Sequence, residues 1–232
     1  MTTASNTSDH LSWLPITRTY PTPAEFWAQA DRPEPMLELL ERALDAAQCS
    51  VFVARQVRHF AVRCAQTVCS FYAKKTPCAF LKTAKRFLAG TATMDQVHRS
   101  WVRSHGITTP AGAVGMAHRC VNAAAVIACA HTVNPDPFAG ARWAAHFAAT
   151  AHVWNRVKVP KEYRDRVVVF DLHQACELLG TNYQVDPNLY SATEHQVRRE
   201  IEAAQAEELR CVIPNPFGEV TWARLGVVTD GD

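Results

Sequence analysis

Prolines in this chain stand where helices can begin, and between them apolar residues recur three and four positions apart. Pro23 opens "AEFWAQA", at a position where its missing N–H costs nothing. In "PEPMLELLERALDAAQ", Met36, Leu37, Leu40 and Leu44 share one helical face. Ser50 can cap a helix running to about Tyr72, and Pro77 can open another that ends at Gly90. "TMDQVHRSWVRSHG" makes a helix stopped at Gly106, and Pro110 starts an apolar one that closes before the turn "NPDP". "FAGARWAAHFAATAHVWNRV" follows, then shorter pieces at 161–169 and 171–179, then a last helix from Thr193 to about Cys211. Strand signals are confined to "RVVVF" and "EVTWARLGVV", and a strand with no partner makes no sheet. The pattern predicts an all-α, irregular bundle of about eight to ten helices. It divides into a loose leader over 1–22, a helical domain over 23–213 and an extended tail over 214–232.

A chain of 232 residues with 48% hydrophobic content can bury a core of its own. Its longest nearly apolar run, Val121 to Ala130 with Asn122 inside it, is far short of the roughly 20 residues a bilayer span needs. The first residues, "MTTASNTSDHLSWLP", have no basic stretch followed by an apolar one, as a secretory signal would. Eight cysteines lie mostly among Ala, Val and Phe, where a thiol acts as a small hydrophobe. The expectation is a cytoplasmic protein without a membrane partner, its thiols reduced and mostly buried.

Charge is distributed unevenly. Residues 1–45 hold three Lys/Arg against seven Asp/Glu, residues 46–135 eleven against one (Asp95), and residues 136–232 ten against fourteen. The net charge of +2 therefore conceals a basic middle. At about 100° per residue, Arg55, Arg58, His59, Arg63 and Gln66 fall within one arc of the 50–72 helix. Val53, Val57, Phe60, Cys64, Val68 and Phe71 fall opposite. On the next helix Lys82, Lys85 and Arg86 share a face opposite Phe80, Ala84 and Phe87. The six cations Arg55, Arg58, Arg63, Lys82, Lys85 and Arg86 are thus expected on one solvent-facing surface. An acidic protein surface is the partner such a face fits, and a nucleic acid stacking on Trp101 or Tyr72 is the alternative. A solvated face, or one neutralised by the flanking acidic segments, is the plain reading.

Catalytic patterns are sparse. His173 and Glu177 in "DLHQACE" stand four apart, with Asp171 placed to cap their helix; a general base with its orienting carboxylate can look so, and so can an ordinary surface pair. A hydrolase at that pair is the third reading. Cys64 and Cys69 are five apart, which on a helix turns their side chains about 140° from one another, so zinc is not expected. His118 with Cys120, and His146 with His152, likewise diverge. Trp143, Phe147, Ala151 and Trp154 follow one helical face and read as core. No nucleophile elbow, P-loop, dinucleotide fingerprint or EF-hand loop occurs, and the nine glycines do not cluster into a phosphate cradle. No catalytic residue, cofactor or metal is assigned.

Several short stretches together resemble an uncharacterised bacterial family of Ala-rich helical proteins. They are Trp27 before "PMLELL", the basic helix "VRHFAVRCAQTVCSFY", the segment "KTAKRFLAGTATMDQV" and the terminal "ELRCVIPNPFGEV". The chain departs from that pattern at Pro214, where the family usually has glycine, and at Gly218, where it usually has a basic residue. More distantly the helical pattern is similar to immunity proteins of polymorphic toxin systems. The resemblance implies an α-helical fold and protein binding, and it carries over no catalytic residue. In "PNPF" the prolines end the helix, Asn215 can turn the chain by bonding its own backbone, and Phe217 and Trp222 are placed to pack back on the bundle. The segment reads as a buckle that closes the fold; a peptide presented to a partner is the other reading.

Overall fold

The computed structural model describes residues 13–45, 51–71, 79–108, 120–157 and 187–227. Among them are nine α-helices and no strand: α1 Leu14–Thr19, α2 Pro23–Gln29, α3 Pro33–Asp45, α4 Val51–Val68, α5 Ala79–Leu88, α6 Met94–Thr108, α7 Cys120–His131, α8 Pro137–Val157 and α9 Pro187–Val212. The fold is all-α. Two short 3₁₀ turns, Cys69–Phe71 and Ala223–Leu225, complete it.

Local chemistry explains where these helices start and stop. Thr22 accepts the Glu25 amide at 3.1 Å ahead of Pro23 at the first helical position. At α6, Thr93 Oγ1 accepts from the Gln96 amide while Gln96 Oε1 accepts from the Thr93 amide, a reciprocal capping box. Gly90, at φ +75°, lets the amides of Gly90 and Thr91 turn back to the carbonyls of Phe87 and Arg86 at the end of α5. In "NPDP" Asp136 Oδ1 accepts from the amides of Phe138 and Ala139, and so caps α8. The last helix begins at Pro187 rather than Thr193, because nothing between those residues interrupts a helix and proline suits its first turn.

Helix α8 is the centre of the bundle, with α3, α4, α7 and α9 around it. Its closest-packed face is alanine: Ala141, Ala144, Ala148 and Ala151 are fully buried. Small side chains let neighbouring backbones approach. At Gly140 the approach is so close that a Cβ would lie 2.8 Å from the His131 carbonyl oxygen. Helix α7 is apolar on every side and is buried throughout 124–131.

Trp143 does not follow the core expectation. It stands about 100° from the alanine face and is 48% exposed, whereas Phe147 and Ala151 are buried. The side chain of Trp154 lies outside the described residues.

The leader reading is corrected over residues 13–22. Trp13 is buried in an aromatic centre within the hydrophobic core, and α1 follows it with Ile16 packed against that core. Trp13 lies 6.1 Å from Phe26 and 6.1 Å from Trp222, its indole N–H donates to Glu38 at 2.9 Å, and the Arg42 guanidinium covers its ring. An aromatic side chain in a polar leader still carries more apolar surface than any neighbour, and that surface is what docks. The tail supplies the other half of this centre. Phe217 packs edge-on to Trp27 at 5.6 Å, and Trp222 Nε1 donates to the Tyr20 carbonyl at 2.8 Å. Asn215 Oδ1 accepts the Phe217 amide at 3.2 Å, which turns the chain inward. Arg210 donates to the carbonyls of Trp27 and Ala30 and so closes the end of α2. "EVTWARLGVV" is not a strand over its described part: Trp222 leads into the 3₁₀ turn and Gly226 reverses the chain at φ +68°.

Candidate functional site

Helices α4 and α5 lie side by side, and their polar faces form an open cleft of about 470 Å³. Arg55, His59 and Gln66 line it from α4, and Lys85, Leu88 and Ala89 from the end of α5 and the turn after it; among the described residues no carboxylate lines it. Leu81 and Ala84 hold α5 against the core, which leaves Lys82, Lys85 and Arg86 exposed on its outer face.

The six expected cations separate into four kinds. Lys82 and Lys85 are exposed and have no ion pair among the described residues. Arg55 donates to the Leu88 carbonyl and Arg86 to the Thr91 carbonyl at 3.1 Å; both stay exposed, with no carboxylate partner among the described residues. Arg63 leaves the group. Its guanidinium forks onto Glu208 of α9 at 2.6 and 3.3 Å, and that partner raises its pKa further. Here the acidic last segment neutralises the basic middle.

Arg58 is the correction. It is 3% exposed, inside the protein. Its guanidinium donates to the Thr132 carbonyl at 2.9 Å and the Pro135 carbonyl at 3.3 Å, and lies 5.5 Å from the Phe87 ring. It thus ties α4 to the carbonyl-rich turn between α7 and α8. Burial pulls its pKa down to about 10, with Asp136 opposing, so it remains charged at neutral pH. The helical arc places Arg58 about 60° from Arg55, beside Ala54, Ala61 and Ala65. Three alanines flanking an arginine at the arc's edge are the signal that this side of α4 approaches a neighbour.

A second cleft, of about 430 Å³, lies between α3, α8 and α9 and holds Arg32, Glu34, Arg142, Trp143, His146 and Glu202. Its charges are already matched: Arg32 pairs with Glu34 and Glu202, and Arg142 with Glu41. It therefore offers an incoming ion little net field.

Beside it His131, at the end of α7, is enclosed by aromatic rings. Phe147 stacks on it at 6.0 Å, with Trp143 at 5.9 Å and Trp101 at 5.4 Å. Trp101 is thus partly buried against His131. Tyr72 lies outside the described residues. Burial pushes the His131 pKa down to about 4, and burial and Arg156 lower that of His152. A histidine with a lowered folded pKa binds its proton more readily when unfolded, so stability rises with pH through this window. For His131 the loss between pH 6.5 and 4 is about 3 kcal/mol. The melting temperature is expected to fall as pH drops from 6.5 to 5, above the carboxylate range. His131→Phe, which keeps the ring stack, should flatten that slope. An unchanged slope would place the pH dependence elsewhere.

His173, Glu177 and Asp171 lie outside the described residues, as do Cys49, Cys78 and Cys176. Cys64 is buried, which raises its pKa, and Cys69 turns away from it towards Cys129. Cys211 is exposed, contrary to a core position, because α9 presents that face to solvent. Among the described residues no three His, Cys, Asp or Glu side chains gather as a metal site, and no helix is long and apolar enough to cross a membrane. No family profile matches the chain, and comparison with curated proteins and with solved structures returns no match.

Proposed function

We propose that the chain is a protein-binding module, immunity-like in kind, that engages an acidic surface of its partner through the α4–α5 cleft. The observation that carries this reading is the cleft's lining: Arg55, His59 and Lys85, with no carboxylate lining it among the described residues, continued by Lys82 and Arg86 on the outer face of α5. Solvated faces usually mix signs, so an unmixed one favours an anionic counterpart. Gln56 and Gln66 add side-chain amides that suit the polar rim of a protein interface. The expectation of a protein partner comes from the sequence resemblance to immunity proteins.

The test is to capture the partner from the native host and then titrate it against salt. Binding should weaken as ionic strength rises, mainly through a slower association rate. Lys82→Glu with Lys85→Glu should reduce affinity at least about tenfold with an unchanged melting temperature, because both side chains are solvent-facing and like-charge juxtaposition costs several kcal/mol. A duplex oligonucleotide binding instead, with log affinity falling by about 0.9 per log salt for each phosphate neutralised, would transfer the face to nucleic acid. Partner binding that survives the double reversal with the same salt slope would reduce the face to a solvated one.

A further inference from the structure

Cys69 and Cys129 meet from different helices. Cys69 starts the 3₁₀ turn after α4, Cys129 sits on α7, and their sulfurs are 4.0 Å apart across 60 residues of chain. Cys69 is half-buried, so a small solute can reach it; Cys129 is 3% exposed. A disulfide bond is about 2.05 Å long, so the two sulfurs need to close by roughly 2 Å for a bond to form. We propose that Cys69 and Cys129 form a peroxide-reactive site, Cys69 attacking and Cys129 resolving.

The steps balance. The Cys69 thiolate attacks one oxygen of hydrogen peroxide; an S–O bond forms, the O–O bond breaks and hydroxide leaves, becoming water with the proton that Cys69 released on ionising. Cys129 then attacks the sulfenic sulfur while losing its proton. The S–S bond forms, the S–O bond breaks, and the second hydroxide leaves as water with that proton. Two thiols are oxidised by one electron each, and one peroxide is reduced to two waters.

Local electrostatics favours Cys69 as the attacker. The hydrogen bond from Cys129 pulls its pKa to about 7 against partial burial, and the Lys85 ammonium adds to the effect. A lowered pKa favours the thiolate, which is the attacking form of a cysteine. Cys64, whose pKa burial raises, is the inert counterpart on the same helix. The proposal stands apart from the anionic-partner reading, and either can fail alone.

The test uses the intact chain and equimolar hydrogen peroxide at pH 7, with peptide mapping by mass spectrometry. A Cys69–Cys129 linked peptide, reversed by dithiothreitol, is expected. The melting temperature should rise on the order of 10 °C, since a crosslink closing a loop this long restricts the unfolded chain. In Cys129→Ala, Cys69 should stop at the sulfenic acid and be trapped by dimedone. In Cys69→Ser, a change at a half-buried position, the link should vanish and the rate of peroxide consumption should fall about tenfold. Oxidation confined to the exposed Cys211, a link between other cysteines, or an unchanged rate in Cys69→Ser overturns the proposal.

Discussion

Arg58→Glu is expected to melt roughly 10 °C or more below the parent protein, while Lys85→Glu melts with it. Removing the Arg58 guanidinium strands the Thr132 carbonyl and loosens that of Pro135, at about 1–3 kcal/mol for each buried group left unpaired. The carboxylate that replaces it faces the same carbonyl oxygens in the same buried space, an uncompensated charge. Together these effects amount to at least about 3–5 kcal/mol, a large part of the stability of an ordinary domain. At this chain length each kcal/mol moves the midpoint by about 2–4 °C. Lys85 ends in solvent, so reversing it removes no interior contact. Thermal denaturation of the two variants side by side checks the point. Equal midpoints would mean that Arg58 is solvated after all.

Phe217→Ala is expected to cost about 3–5 kcal/mol, the range for deleting a buried aromatic side chain. Phe217 is 3% exposed and lies against Trp27, which is itself 1% exposed, so the void left behind has rigid walls. The substitution also undermines Trp222, which bridges the tail to Trp13 and Phe26 at the other end of the chain. Denaturant unfolding should show a lower midpoint with a similar slope. An unchanged midpoint would show the tail to be dispensable and would favour its role as a presented peptide. A buckle that joins both ends of a chain in this way also makes truncation costly: deleting residues before 20 should destabilise the protein through the loss of Trp13.

Much of the architecture was legible along the chain because the signals are local. A proline at a first turn, a glycine that accepts a positive φ at residue 90, and the Asn-Pro-Asp-Pro turn each act within a few residues. Their geometry does not depend on what packs against them. The apolar periodicity of α4 and α5 likewise fixed the faces that carry Val57, Phe60, Leu81 and Ala84 inward.

What periodicity could not decide was the edge of each face. A helix about 100° per residue has two flanks between its inner and outer sides, and a neighbour's position determines which flank is covered. On α4 the covered flank is the alanine one, so Arg58 went inward and found carbonyls, while Arg55 and His59 stayed at the cleft. On α8 alanine again drew the neighbours close, and Trp143 was left at the rim of an aromatic stack. Residues far apart in sequence met only in three dimensions: Arg63 with Glu208, Trp13 with Trp222, and Cys69 with Cys129. The sequence by itself determined the helices, their caps and the excess of positive charge between residues 46 and 135, because those properties are set by neighbours along the chain. The tertiary structure alone decided which of those charges remain exposed, because a long side chain at the edge of a helical face takes its surroundings from whichever helix packs there.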